Sequence, residues 1–248
     1  MKILGIIPAR YASSRFPGKP LVVINGKTMI QRVYEQALQC NRLTKVIVAT
    51  DNEPIFNHVR LFRGNVLMPS EQHRSGTERC LEVVENLHHA GEDYDYVINI
   101  QGDEPYIEPR QISQVADCLT NKNCMLATLI KKITSPEELT NPNVVKVAIA
   151  SNGSALLFSR SAIPFIRGRD QKEWLSATAF YKHIGIYGYH STVLEKIVAL
   201  PVSPLETAES LEQLRWLEHG YSIQTQITEF ESVAIDIPAD LLKITNRA

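Results

Sequence analysis

Residues 8 to 20 read PARYASSRFPGKP and set Arg10, Arg15 and Lys19 among small residues and prolines, directly after the apolar run ILGII. Cations gathered on a short loop at the end of a strand suit an anion. The backbone N–H groups of a turn containing Ser13, Ser14 and Gly18 could cradle phosphates beside them. The G-x-x-x-x-G-K-[ST] pattern is absent, so the loop is not that of a P-loop NTPase. Two carboxylates stand at comparable places. Asp103 follows a glycine in QGDEP (101–105), and Asp236 sits at the apolar-to-polar change in VAIDIP. Mg²⁺ takes one or two carboxylates and completes its shell with phosphate oxygens and water, so both are candidate ligands. The plainer alternatives are a turn residue for Asp103 and a helix cap for Asp236.

Three further clusters are candidates. SGTER opens a helix with Ser75 as N-cap and Glu78 at the capping-box position, and that helix start also directs partial positive charge at a nearby anion. His183 and Tyr187, four apart in KHIGIYGY, fall on one face of a strand; a histidine of the core would look the same. Glu212 and Gln213 lie beside a Leu211–Leu214–Leu217 stripe and read from the pattern as a solvated helix face.

The elements that must position these groups alternate in the first half. KILGIIPA, KVIVATD, NVLMP, YDYVINIQGD and MLATLI read as strands, separated by helical patterns such as PIFNHVRLF, GTERCLEVVENLHHAG and ISQVADCL. That order predicts a doubly wound α/β fold, whose ligands bind beyond the carboxyl ends of the strands. In the second half VVKVAIA and ALLFSR read as a β-hairpin, IRGRDQKEWLSATA as a mobile loop, and FYKHIGIYGYH as an aromatic strand. STVLEKIVAL and ETAESLEQLRWLEH read as two helices, followed by a strand SIQTQITEF and a closing helix after Pro238. The chain is expected to form one domain over 1–248, with a β-rich insertion at about 154–205 serving the site and a dimer surface.

The bulk composition is that of an ordinary globular protein of 248 residues, 44% hydrophobic and 21% charged. A formal net charge of −1 supplies no global field for nucleic acid, so an anionic ligand must be held by local cations. The four cysteines form no C-x-x-C pair and have no histidine at metal-ligand spacing, which suits reduced thiols. The opening MKILGIIPAR is too short for a signal segment and no run approaches the ~20 apolar residues of a membrane span. A cytoplasmic protein with no membrane partner is the expectation.

Taken in order, PARYASSRFPGKPL, SGTER, QGDEP, NPNVVKV, LLFSR, KHIGIYGY, SPLE, LEQLRWLE and DIPADL resemble the 3-deoxy-manno-octulosonate (KDO) cytidylyltransferases from Ile7 to Leu241. The resemblance implies a Rossmann-like nucleotidyltransferase fold with a mixed sheet, a homodimer, and a Mg²⁺-requiring reaction of CTP with KDO. Its products are CMP-KDO, a precursor of lipopolysaccharide, and pyrophosphate. By motif, Arg10 and Lys19 would hold the CTP phosphates with Ser13, Ser14 and Arg15 shaping the loop. Asp103 and Asp236 would hold the metal, and Arg10, Lys19 and Asp103 would carry catalysis. Gln101, Arg160, His183, Tyr187, Glu212 and Gln213 would line the sugar pocket, and Ser75 belongs to the region that meets the cytosine.

The rival readings are the same transfer to 8-amino-KDO or a sialic acid, a glycosyltransferase, and a non-catalytic nucleotide-binding regulator. The glycosyltransferase class typically relies on a D-x-D metal motif, which the GDEP stretch lacks. A regulator need not keep both carboxylates.

Overall fold

The computed structural model describes residues 1–12, 16–121, 123–231 and 233–242. Its strands are β1 (Ile3–Ala9), β2 (Val23–Ile24), β3 (Lys27–Thr28), β4 (Lys45–Thr50), β5 (Val66–Leu67), β6 (Tyr96–Asn99), β7 (Leu126–Lys132), β8 (Lys146–Ile149), β9 (Ala155–Ser159), β10 (Tyr181–His190) and β11 (Ile223–Ile227). The helices are α1 (Met29–Leu38), α2 (Glu53–Leu61), α3 (Gly76–His89), α4 (Pro109–Leu119), α5 (Pro136–Thr140), α6 (Trp174–Ala177), α7 (Ser191–Val198), α8 (Pro204–Glu209) and α9 (Glu212–Glu218).

The main sheet runs β11, β7, β10, β6, β1, β4, β5, with β8 joined to β10 and β9 to β8. The pairs β1–β4, β1–β6, β4–β5 and β7–β11 are parallel. β10 lies antiparallel between β6 and β7, which makes the sheet mixed. The continuous apolar sequence of β1 follows from this topology, because both faces are covered. Ile3, Ile7 and Ala9 join a core with Ile30 and Val33 of α1, Val59 of α2 and Val115 of α4. Leu4 and Ile6 face the other way, onto Cys80 and Val83 of α3, Leu194 of α7 and Leu214 of α9.

The predicted α/β alternation and the β8–β9 hairpin are present, with the hairpin antiparallel. The NVLMP strand is only two residues long, at Val66–Leu67. Two other expectations fail for identifiable reasons. ETAESLEQLRWLEH is not one helix. Ser210 adopts left-handed backbone angles (φ 50°, ψ 50°) and divides α8 from α9. The break is held from outside: the Glu209 carboxylate accepts from Ser159 Oγ at 2.6 Å and from the Arg160 backbone N–H at 2.8 Å. The Arg160 side chain in turn donates to the carbonyls of Glu209 and Ser210.

The stretch read as a mobile loop contains α6, and Trp174 is buried at its start. The indole stacks on Phe180 at 6.1 Å between centroids and completes a small core with Ile133 and Leu139. Replacing a buried aromatic by alanine costs about 3–5 kcal/mol. Trp174→Ala is therefore expected to lower stability on that scale in urea melts. It should also expose Arg167, Arg169 and Lys172 to faster tryptic cleavage; an unchanged cleavage rate would show that the indole does not anchor the segment.

Candidate functional site

The parallel strands β1, β4 and β6 end side by side, and the residues that follow them meet there. Arg10 follows β1, Asp51 follows β4, and the Gln101–Asp103 turn comes just beyond β6. A cleft at these ends is lined by Arg10, Lys19, Gly76, Gln101, Gly102 and Asp103 among others. Four of the candidate side chains are thus brought into one place. Ser13, Ser14 and Arg15 lie outside the described residues.

Two backbone features hold the cleft. A Cβ on Gly102 would stand 2.6 Å from the Pro8 carbonyl oxygen, so the turn bearing Asp103 can press against the end of β1 only with glycine there. Gly18 has φ +69° and donates its N–H to the Tyr11 carbonyl at 3.0 Å, which closes the loop and delivers Lys19. Asp236 is brought alongside by its neighbour, since the Ile235 N–H donates to the Asp103 carbonyl at 2.9 Å. Asp240 then accepts from the N–H groups of Asp236 and Ile237, so the turn-closing carboxylate is Asp240 rather than Asp236.

The charges are arranged in two layers. Lys19 Nζ lies 2.7 Å from Asp103 Oδ2 and 3.7 Å from Asp236 Oδ1, so one ammonium group bridges both candidate metal carboxylates. Deeper, Arg79 of α3 is fully buried and donates from Nη2 to Asp51 at 2.6 Å. Its Nε and Nη1, and Nη2 of Arg10, are buried with no hydrogen-bond partner among the described residues. Burial first, and then the like charge of Arg79, lowers the pKa of Arg10, against the opposing pull of Asp51 and Glu78. Two guanidinium groups at these strand ends keep buried N–H donors without partners among the described residues, which is the form of an anion site. The sequence reading missed Asp51 and Arg79. Their signal was available, as the polar end of KVIVATD and the last residue of SGTER.

Ser75 and Glu212 border a second cavity with Arg74, Glu78, Glu206 and Arg215. Ser75 is the N-cap of α3 as predicted, accepting from the Glu78 N–H at 3.1 Å; the Glu78 carboxylate reaches back one residue further, to the Arg74 N–H. The solvated face expected for Glu212 and Gln213 is not found. Thr77 Oγ1 donates to Glu212 at 2.7 Å, Gln213 is buried, and burial raises the Glu212 pKa against the opposing hydrogen bonds of Thr77 and Ser75. The cause is the break at Ser210, which starts a new helix against the first turn of α3 and turns these residues inward.

His183 borders a third cleft with Glu104, Asn143, Lys182, Gly185 and Glu231. Lys182 is hydrogen-bonded to both Glu138 and Glu231. Tyr187 lies on the His183 side of the strand as predicted, with ring centroids 5.1 Å apart, and packs edge-on against Trp216 of α9. Its hydroxyl is buried without a partner among the described residues. Gln101 links this cleft to the first, donating from Nε2 to the Gly185 carbonyl at 2.7 Å. Arg160 borders none of the three, and its guanidinium donates to the carbonyls of Pro142, Glu209 and Ser210.

The profile of a family described as "Cytidylyltransferase" matches residues 4–227. A 3-deoxy-manno-octulosonate cytidylyltransferase of Parabacteroides distasonis is 54% identical over 247 residues, covering 98% of this chain and 96% of the relative. One of Cytophaga hutchinsonii is 52% identical over 99% of this chain and 97% of the relative. The chain belongs to the 3-deoxy-manno-octulosonate cytidylyltransferase family. Among solved structures, a CMP:2-keto-3-deoxy-manno-octonic acid synthetase complexed with CTP superposes with a TM-score of 0.90 at 40% identity, covering all of this chain and 98% of that one. A glucose-1-phosphate thymidylyltransferase of Bacillus anthracis, at TM-score 0.65 and 18% identity, shares the nucleotidyltransferase fold.

Burial lowers the pKa of His183 to about 3. An unfolded histidine takes up its proton near pH 6.5. Between those values the unfolded chain binds more protons than the folded one, so stability is full above about pH 6.5 and falls as the pH drops toward 3. His183→Gln is expected to flatten that part of the stability-versus-pH curve, measured by denaturant unfolding from pH 7.5 to 4. Identical slopes for the two proteins would place the ring in water.

Proposed function

We propose that the protein transfers CMP from CTP to the anomeric hydroxyl of KDO and releases pyrophosphate. The observation that carries the reading is the cleft at the ends of β1 and β6, where Arg10, Lys19, Gln101 and Asp103 converge in a chain of this family. The sugar oxygen forms a bond to the α-phosphorus, the bond from that phosphorus to the bridging oxygen breaks, and pyrophosphate departs with the electron pair. The sugar hydroxyl loses its proton. A transfer of this kind depends mainly on alignment and charge neutralisation.

Each part of the chain has a role in that reading. Arg10 and Lys19 bind the phosphate chain and offset the charge that collects on the departing pyrophosphate, with Ser13, Ser14 and Arg15 completing the loop. Ser75 meets the cytosine. Gln101, His183, Tyr187, Glu212 and Gln213 hold the sugar acid, and Arg160 supports it from the β8–β9 side. The position of Lys19 supports Asp103 and Asp236 as holders of Mg²⁺, since two carboxylates already gather around one cation and offer only oxygen donors. When bound, the metal would supply Lewis-acid neutralisation of phosphate oxygens.

The reading extends to a homodimer in the cytoplasm, with 154–205 as the dimer surface of a single domain. Leu156 and Phe165 of that segment are 62% and 74% exposed, which supports a covering partner of the same chain. Sedimentation should give twice the chain mass, and Leu156→Asp with Phe165→Asp should reduce it to one. No helix among the described residues is long and apolar enough to cross a membrane.

Pyrophosphate release from CTP, followed with KDO, 8-amino-KDO and a sialic acid, with and without Mg²⁺, tests the reaction; no turnover of KDO would overturn it. Asp103→Asn is expected to lower kcat by roughly 10²–10³, the scale of losing one preorganised electrostatic group, with the fold intact by circular dichroism. Lys19→Ala should chiefly raise KM for CTP, and unchanged kinetics would remove Lys19 from the phosphate site.

A further inference from the structure

The pairing of β10 with β7 slips by two residues: Ile184 faces Leu129, and the next partner, Thr128, faces Tyr187. Gly185 and Ile186 therefore bulge out of that ladder. Side chains take up the carbonyls freed by the bulge. Gln101 donates to Gly185, and the fully buried Thr128 hydroxyl lies 2.7 Å from the Ile186 carbonyl and 3.3 Å from that of Ile184. The same Thr128 Oγ1 lies 2.9 Å from Nε2 of His183.

A threonine hydroxyl has one proton to give and lone pairs to receive with. Carbonyls cannot donate, so the proton of Thr128 is claimed by Ile186. Turning it toward His183 would leave a carbonyl oxygen facing another oxygen at 2.7 Å in a buried place, at the full cost of an unmade hydrogen bond. Toward His183 the hydroxyl must therefore accept, which puts the ring hydrogen on Nε2. In a neutral imidazole the other nitrogen is then a bare acceptor. Burial keeps the ring neutral at ordinary pH. Phe158, edge-on at 5.3 Å, and Tyr187 fix its plane. Nδ1 has no hydrogen-bond partner among the described residues, and the ring borders the cleft with Glu104, Asn143 and Lys182.

We propose that Thr128 is a positioning residue that locks His183 in the Nε2–H tautomer, so that Nδ1 accepts a hydrogen bond from a hydroxyl of the bound sugar acid. This rests on the sugar-acid role proposed above for His183. The consequence is selectivity of a defined kind. A neutral acceptor engages a hydroxyl donor and offers nothing to the sugar's carboxylate, so the ring sorts the two ends of the substrate.

The test uses the full chain labelled with ¹⁵N-histidine. Long-range ¹H–¹⁵N spectra should show, for the resonance missing in His183→Gln, a pyrrole-type Nε2 and a pyridine-type Nδ1 that do not titrate from pH 8 to 5. Adding KDO should move the Nδ1 signal without protonating it. Thr128→Val keeps the shape and removes the hydroxyl. It should mix the tautomers and raise KM for KDO about tenfold, the scale of one hydrogen bond, with KM for CTP unchanged; Thr128→Ser should restore both. An Nδ1–H tautomer in the unsubstituted protein overturns the proposal, whether or not Thr128→Val folds. So does a folded Thr128→Val protein with unaltered spectrum and KM. Failure of the sugar-acid reading looks different: the unsubstituted protein would keep the Nε2–H spectrum yet neither turn over KDO nor shift Nδ1 in its presence.

Discussion

One ammonium group bridging two carboxylates is the constraint around which the site is arranged. Lys19, Asp103 and Asp236 come from separate parts of the chain, and each is delivered by a backbone contact of its own. Gly18 closes the loop before Lys19, Gly102 lets the Asp103 turn touch the end of β1, and the Ile235 N–H seats Asp236 beside it. The ammonium group of Lys19 offsets the repulsion between the two carboxylates it bridges. The arrangement is therefore sensitive to the charge placed in it. Arg10, Asp51 and Arg79 lie deeper at the same strand ends and bias it toward anions.

The bulge in β10 supplies the second organising feature. It removes strand partners from consecutive carbonyls and obliges Gln101 and Thr128 to replace them. Gln101 thereby spans two clefts, lining the one with Arg10 and Asp103 and reaching the His183 side with its amide. The hydrogen bond from the Gln101 amide to the Gly185 carbonyl is what joins the two clefts.

Much of this was legible in the sequence. A continuous apolar run ending in PARYASSRFPGKP reads as a strand covered on both faces and leading into a polar loop, and the same logic located QGDEP. His183 and Tyr187 kept their common face because the bulge inserts an even number of residues, preserving the alternation. What the pattern could not give were effects imposed from a distance. Ser210 breaks a helical sequence because Glu209 and Arg160 hold each other, and neither residue's type announces that bond. Glu212 turns inward only as a result of that break. Trp174 lies in a stretch too polar to show a period, yet one indole suffices to anchor it. Arg79 stands in SGTER, but its full burial against Asp51 comes only from the packing of α3 on the sheet.

β10, antiparallel to every strand it pairs with, also bears on how the protein is made. β10 fills the gap between β6 and β7, which precede it in the chain by many residues. During synthesis the ends of β1, β4 and β6 can gather as soon as those segments emerge, whereas the sheet stays divided until residue 190 is available. The β1–β6 pairing spans about as many residues as the β6–β10 pairing, so order of emergence rather than sequence separation sets the two apart. The side holding Arg10, Lys19 and Asp103 can thus form first, and Asp236 joins it only after β10 has emerged. The His183 side is born with the strand that closes the sheet, so a nascent chain passes through a stage with an open seam where β10 will enter.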